Sequence, residues 1–210
     1  MLKTTRSQAA NERLVAIGAN AKEGVRYLLR FVGEDPHREG LVDTPARVLR
    51  AWEEMTAGYL QDPSQILSKT FTAEYDQIIV CPWIEFYSVC EHHLLTFSGH
   101  AHLAYLPAAG SKSKVVGLSK LARLVDCFGR RLQIQEQMTT QIANALETHL
   151  RPRGVAVVVQ AKHLCMACRG VQKHGAVMVT SAMRGVFRAE GPARDEFFKL
   201  VDLAARSNGQ

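Results

Sequence analysis

Apolar positions repeat at helical spacing in five stretches of the chain. In the first of them, Leu14, Val25 and Leu28 fall on one side of a 3.6-residue repeat. Thr44 and Ser119 are suited to cap the second and third helices, because their hydroxyl groups can accept a backbone N–H. The pattern predicts helices over residues 11–31, 45–58, 119–129, 133–150 and 195–205.

Four other stretches are rich in the β-branched and aromatic residues that favour strands. They predict strands over residues 77–89, 98–106, 155–165 and 176–187. Pro82 predicts an edge or a bulge in the first strand, and residues 108–114 predict a flexible loop. Two helices come first, and two more separate the strand pairs, which favours an α+β fold with an antiparallel sheet.

The totals are those of a globular protein with mixed surface charge. The chain has 210 residues, 47% of them hydrophobic, which suits one domain with a helical extension. The net charge of +6 is compatible with an anionic partner or with an ordinary solvated surface. Because the basic residues form no block, we expect no nucleic-acid partner, and a phosphorylated small molecule fits the charge as well.

Membrane and export signals are missing from the sequence pattern. No run of eighteen apolar residues occurs, so we expect no membrane span. The first eight residues lack the apolar core of a signal peptide, which predicts a cytoplasmic protein. Five cysteines in a reducing compartment favour metal ligands and buried thiols over a disulfide framework.

The stretch Cys90-Glu91-His92-His93 concentrates metal-binding groups in an apolar surround. Cys90 and His93 can reach one ion through a single turn of chain, and zinc favours that pair of ligands. The rest of the chain must supply at least a third ligand, either Cys165 alone or Cys165 together with Cys168.

Two readings of the second cysteine pair compete. Cys165 and Cys168 together would complete a closed structural site, whereas Cys165 alone would leave an open position for an activated water. If the third strand continued past His163, period-two alternation would put Cys165 on the face of His163 and turn Cys168 away. This favours the open site, although a turn at Met166-Ala167 would remove the argument.

Two histidines flank the predicted metal ligands. His163 would share a face with Cys165 and with Arg169, which could hold an anion, and His92 adjoins His93. Either imidazole can move protons near neutral pH. The alternative for each is a structural histidine held by hydrogen bonds.

Two helix starts carry groups suited to an anion. Ser119 and Lys120 lie where free N–H groups can cradle a phosphate, with Arg123 one turn later. Arg47 lies in the first turn of its helix, where a cation opposes the helix dipole, so it is either a tolerated surface residue or an anion contact. Glu136 could accept two N–H donors from a guanine-like edge, or could simply favour its helix start.

These motifs together resemble the GTP cyclohydrolase I family, from about Gly40 through the last helix. The matching residues are Thr44-Pro45-Ala46-Arg47, Cys90-Glu91-His92-His93, Gly117-Leu118-Ser119-Lys120-Leu121-Ala122-Arg123, Gln135-Glu136 and His163-Leu164-Cys165-Met166, followed by Arg169-Gly170-Val171. The resemblance implies a tunnelling fold, with a four-stranded antiparallel sheet and two helices inserted between its strand pairs. It divides the chain into an N-terminal helical region, residues 1–75, and a catalytic domain, residues 76–210. Sheets of several subunits would form a barrel, and two rings a homodecamer with active sites between subunits.

The resemblance also implies a reaction. Zinc held by Cys90, His93 and Cys165 would serve hydrolysis of GTP at guanine C8, release of formate and rearrangement to 7,8-dihydroneopterin triphosphate, the first step of tetrahydrofolate and pterin biosynthesis. The other implied roles are proton transfer by His92 and His163, help in the ribose rearrangement by Ser119, guanine binding by Gln135 and Glu136, and triphosphate binding by Arg47, Lys120, Arg123 and Arg169.

Cys168 departs from the family pattern, which has Met or Ala there. A zinc-stabilised binding protein with a closed four-ligand site is therefore one rival reading. Another is a relative that acts on a different purine or pterin through a thiol nucleophile, such as a nitrile reductase, which needs no zinc.

Overall fold

A computed structural model describes residues 8–108, 110 and 113–207, with side chains from residue 17 to 206 within these ranges. The first seven residues, which bear on the predicted localisation, and part of the predicted loop at 108–114 lie outside the described residues. The chain forms two compact units, Met1–Glu54 and Met55–Gln210. A functional boundary between residues 75 and 76 stays a prediction. Among the described helices, none is long and apolar enough to cross a bilayer.

The N-terminal unit consists of the two predicted helices. Helix α1 spans Gln8–Phe31 and α2 spans Thr44–Met55. Helix α2 thus begins one residue before the predicted start, and Pro45 is buried in its first turn, where its missing N–H costs nothing. Asp43, just before the helix, pairs with Arg47 at 3.2 Å and offsets the opposing helix dipole.

The second unit alternates strands and helices in the predicted order, with several short additions. Its helices are a 3₁₀ turn at Ala57–Leu60, α3 at Pro63–Leu67, α4 at Leu118–Gly129, α5 at Gln135–Leu150, α6 at Leu164–Ala167 and α7 at Pro192–Ser207. Its strands are β1 at Thr70–Ala73, β2 at Ile79–Cys90, β3 at Thr96–Leu106, β4 at Ser113–Val116, β5 at Leu132–Gln133, β6 at Gly154–His163 and β7 at Met178–Gly185.

The main sheet has the strand order β5-β2-β3-β6-β7. Its four long strands are antiparallel neighbours, while the short β5 pairs in parallel with the end of β2. Strands β1 and β4 form a separate antiparallel pair. The α+β class predicted from the segregated elements is confirmed.

Helices cover both faces of this sheet. Alternate residues such as Leu103 and Tyr105 of β3 join the core that contains Leu124 of α4 and Ile142 of α5. Ala104, between them, points to the opposite face and packs with Phe197 of α7 and its neighbours. The period-two alternation of each strand therefore supplies two apolar layers.

One local detail agrees with the sequence prediction, and two others differ from it. Pro82 lies in a bulge, as predicted: the β2–β3 register shifts between Cys81 and Ile84, and Trp83 has a positive φ of 59°. Ser119 is not the N-cap of α4, because Gly117 takes that position without a side-chain bond. Helix α5 begins at Gln135 and not at 133, because residues 132–133 pair with β2 instead.

Candidate functional site

The turn between β2 and β3 presents the first cysteine and the histidine together. Leu94 N–H donates to the Cys90 carbonyl at 2.8 Å, and Cys90 N–H donates to the Leu95 carbonyl at 2.8 Å. Leu94 has a positive φ of 57°, a conformation that is uncommon for a residue with a side chain. This single turn places Cys90 Sγ 3.9 Å from His93 Nδ1.

Cys165 reaches the same place from a short helix. Strand β6 ends at His163, and the chain then turns into α6. The assumption of a continuing strand was therefore wrong, and strand alternation is not the reason for the position of Cys165. Because β3 pairs with β6 and Phe97 lies opposite His163, the end of β6 comes next to the turn that carries Cys90.

The ligand atoms of Cys90, His93 and Cys165 all lie within 4.8 Å of one another. Cys90 is buried, Cys165 is half-buried and His93 is exposed. Burial raises the pKa of the Cys165 thiol, the neighbouring Cys90 thiol raises it further, and the charge of Arg169 opposes this. Two thiols and one imidazole that converge in this way fit a zinc ion, which stabilises the thiolate form of its ligands.

Cys168 does not belong to this group. Its side chain is exposed, and its thiol donates to the Leu164 carbonyl at 3.0 Å within the turn of α6. The described part of the chain therefore offers three converging ligands and not four. This arrangement disfavours the closed structural site.

His163 lies two residues before Cys165 and is held on two sides. Its ring stacks on Phe97, with centroids 4.4 Å apart and planes at 5°. Its Nε2 lies 2.8 Å from the amide oxygen of Gln135. Burial lowers the pKa of His163, and the charge of Glu136 opposes this.

Gln135 lies behind His163 and is only 1% exposed. Its amide nitrogen donates to the carbonyls of Val159 and Met178, both at 3.0 Å, and to the Thr180 hydroxyl at 3.1 Å. Both ends of the amide are thus bound within the protein. This position does not favour the direct contact with guanine that the resemblance implied.

Glu136 and His92 are placed differently from Gln135. Glu136, the next residue along α5, is exposed, so its carboxylate is available to a ligand. His92 is exposed in the β2–β3 turn, and its Nε2 lies 4.0 Å from the carboxylate of Glu91. Its ring is 6.3 Å from that of His93.

The residues that the sequence analysis named for binding an anion lie in three separate segments. Ser119, Lys120 and Arg123 occupy the first two turns of α4, and Arg169 follows α6. Arg47 belongs to the N-terminal unit. Within the described residues, no hydrogen bond or ion pair joins Ser119, Lys120 or Arg123 to the cysteine and histidine group.

Sequence reasoning missed the supports of His163. Phe97 was given no role, and Gln135 was expected to contact guanine. Their contacts depend on the register of β3 with β6 and on the packing of α5 against β6 and β7. No local sequence signal reports these long-range alignments.

The family model and the similar sequences indicate the same family. The sequence model of the family described as GTP cyclohydrolase I matches residues 21–202. GTP cyclohydrolase 1 of Mycolicibacterium paratuberculosis is 52% identical over 183 residues, which cover 87% of this chain and 89% of that protein. GTP cyclohydrolase 1 of Corynebacterium glutamicum is 51% identical over 181 residues, 86% of this chain and 91% of that protein.

Among the solved structures to which the chain is similar is that of the archaeosine synthase QueF-Like in the apo form. It is 16% identical, with a TM-score of 0.44, and it covers 57% of this chain and all of that chain. A similarity of this size supports no argument about the function of this protein.

Proposed function

The chain belongs to the GTP cyclohydrolase I family of enzymes, and from this premise we propose that it hydrolyses GTP at guanine C8. C8 leaves as formate, and the remainder rearranges and closes to 7,8-dihydroneopterin triphosphate. The observation that carries the proposal is the convergence of Cys90, His93 and Cys165 within 4.8 Å in a member of this family.

The metal of this site is zinc in our proposal. A donor set of two thiols and one imidazole suits zinc, because sulfur and nitrogen are its preferred ligands and three protein ligands are typical of its catalytic sites. When bound there, zinc supplies a Lewis acid that lowers the pKa of water towards neutrality.

Two histidines move the protons. His163 adjoins Cys165 and is held by Phe97 and Gln135, so its ring is already oriented. Burial keeps the pKa of His163 low, which favours a neutral ring that can take up a proton. His92, exposed beside His93, serves as the second proton carrier, and Ser119 assists the ribose rearrangement.

Glu136 binds the guanine edge, because its exposed carboxylate can accept two N–H groups at once. Arg47, Lys120, Arg123 and Arg169 provide positive charge for the triphosphate. The Lys120 side chain is half-buried, whereas the three arginines are exposed, as expected for groups that await a charged ligand. For Gln135 we propose support of His163 in place of the guanine contact.

The enzyme assembles with further copies of itself, as a homodecamer with active sites between subunits. The support from this chain is that, among the described strands, β7 has only β6 as a neighbour, and β2 pairs on its outer side only at Val89 and Cys90. An open edge presents unpaired N–H and C=O groups that can pair with a strand of another chain. Light scattering of the purified protein measures the mass of the assembly directly. A monomer at the protein concentration of the turnover assay would contradict the proposed homodecamer.

A metal analysis combined with a turnover assay tests the function. We expect about one zinc per chain, formate release, and a fluorescent pterin after oxidation of the product from GTP. Removal of the metal with a chelator should abolish turnover, and added zinc should restore it. Zinc without formate or pterin, or a protein without zinc, would contradict the proposal.

A further inference from the structure

The orientation of the Gln135 amide is fixed by chemistry. One end of the amide faces the main-chain carbonyls of Val159 and Met178, each 3.0 Å away. Carbonyl oxygens can only accept hydrogen bonds, so the NH₂ group must lie at that end. The amide oxygen must therefore face His163, where Nε2 lies 2.8 Å away.

This orientation decides which nitrogen of His163 carries the hydrogen. An amide oxygen only accepts, so a bond at 2.8 Å requires a hydrogen on Nε2. In a neutral ring the other nitrogen, Nδ1, then holds a free lone pair. Within the described part of the structure, Nδ1 has no hydrogen-bond partner.

We propose that Gln135 is a positioning residue that holds the His163 ring with a hydrogen on Nε2, so that Nδ1 is the ring nitrogen left free for the substrate. The contact with the substrate rests on the proposed function, whereas the position of the hydrogen on the ring does not. Gln135 is 1% exposed and cannot reach the reaction except through His163.

The surroundings make the arrangement rigid. The side-chain amide of Gln135 bridges β6, through Val159, and β7, through Met178. The main-chain carbonyl of Gln135 accepts a hydrogen bond from the Thr139 hydroxyl at 2.7 Å. Phe97 fixes the plane of the imidazole from its face. Because the ring is held at its face and at Nε2, it has little freedom to rotate, and the free nitrogen Nδ1 keeps its direction.

Neutron diffraction from deuterium-exchanged crystals of the full chain, at mildly alkaline pH, observes the tautomer. We expect deuterium on Nε2 of His163 and none on Nδ1. Deuterium on Nδ1, alone or together with Nε2, would overturn the assignment. Because this measurement needs no turnover, it stands even if the protein fails to convert GTP.

The variant Gln135→Met tests the role in turnover, since it keeps length and volume but removes both hydrogen-bonding ends. We expect kcat to fall about 10- to 100-fold, as for other supports of site residues, with KM for GTP unchanged. A direct guanine contact would instead raise KM. An unchanged kcat, or a raised KM, would overturn the positioning role.

The matched control is Thr180→Val. Thr180 is one of three acceptors for the Gln135 amide, and its loss leaves both carbonyls in place to hold the orientation. We expect kcat close to that of the unmodified protein and the same deuterium position on His163. If Gln135→Met does not fold, the neutron result on the unmodified protein still decides the tautomer.

Discussion

The imidazole of His163 lies flat against the ring of Phe97, with 4.4 Å between the centroids and 5° between the planes. The two residues are directly paired across β3 and β6, on the sheet face that α4 and α5 cover. Because Phe97 is 1% exposed, its ring is fixed by the core and cannot follow the histidine. The core of the sheet thus sets the plane of a proposed catalytic residue.

Replacement of Phe97 by leucine should remove this support. We expect kcat for GTP to fall about tenfold or more, because a misplaced catalytic group loses its aligned geometry. The free energy of unfolding should fall by about 1 to 2 kcal/mol. The control is Phe86→Leu, since Phe86 is equally buried and contacts Phe97 edge-on, at 5.9 Å. An equal loss of kcat in both variants would refute a specific role for Phe97.

The two cysteines of α6 should respond differently to substitution. Cys165→Ser should lose zinc and turnover, because a hydroxyl is a much poorer ligand than a thiolate. Cys168→Ser should keep both, because its exposed thiol lies outside the converging group. Metal analysis and pterin fluorescence measure the two variants side by side. Loss of zinc from Cys168→Ser would instead support the closed four-ligand site.

His102 should make the protein less stable at acidic pH. It is 3% exposed, and burial, together with the nearby His100, lowers its pKa from 6.5 to about 4. Between these values the unfolded chain binds more protons than the folded one, so acid favours unfolding. The stability from this residue is complete above pH 6.5 and falls by about 3 kcal/mol as the pH drops to about 4.

The control for this titration is His102→Asn. The Nδ1 of His102 accepts a hydrogen bond from the main-chain N–H of Trp83 at 3.2 Å, and an asparagine oxygen can take its place without titrating. Urea unfolding of both proteins across the acidic range should show that the unmodified protein loses stability faster than the variant. Parallel curves would show that His102 is not the group responsible.

Gly99 should tolerate no side chain. A Cβ built there would lie 1.9 Å from the Gln160 carbonyl oxygen and 2.7 Å from the Ala161 Cα, both main-chain atoms of β6. Gly99→Ala must therefore push β3 from β6, and we expect a loss of about 3 kcal/mol in the free energy of unfolding. Gly175→Ala, where nothing lies within 4 Å, is the neutral control. Calorimetry compares them, and equal stability would contradict the close approach.

The order of helices and strands followed from the sequence because periodicity is local. The long strands and helices were predicted within a few residues, since 3.6- and 2-residue repeats record which face of an element is buried. The errors fall at element ends. The start of α5 and the end of β6 depend on pairing with β2 and on a turn into α6, which distant residues decide.

The chemistry of the site was also present in the sequence. The types and spacing of Cys90 and His93 predicted two metal ligands, and the family resemblance named Cys165 as the third. The sequence alone did not decide whether Cys165 binds the metal by itself or together with Cys168. The argument that favoured Cys165 alone assumed that β6 continues past His163, where the chain instead turns into α6. From the residues alone we favoured the cysteine that the structure does bring to Cys90 and His93, but for a geometrical reason that the structure contradicts.

The sequence by itself determined which elements form and which reactive groups the chain carries, because these follow from side-chain chemistry and short-range repeats. Only the tertiary structure decided which groups meet. It brought Cys165 to Cys90 and His93, laid His163 on Phe97, and buried Gln135 behind His163. These contacts depend on strand register and helix packing between residues far apart in the chain, which no local pattern encodes.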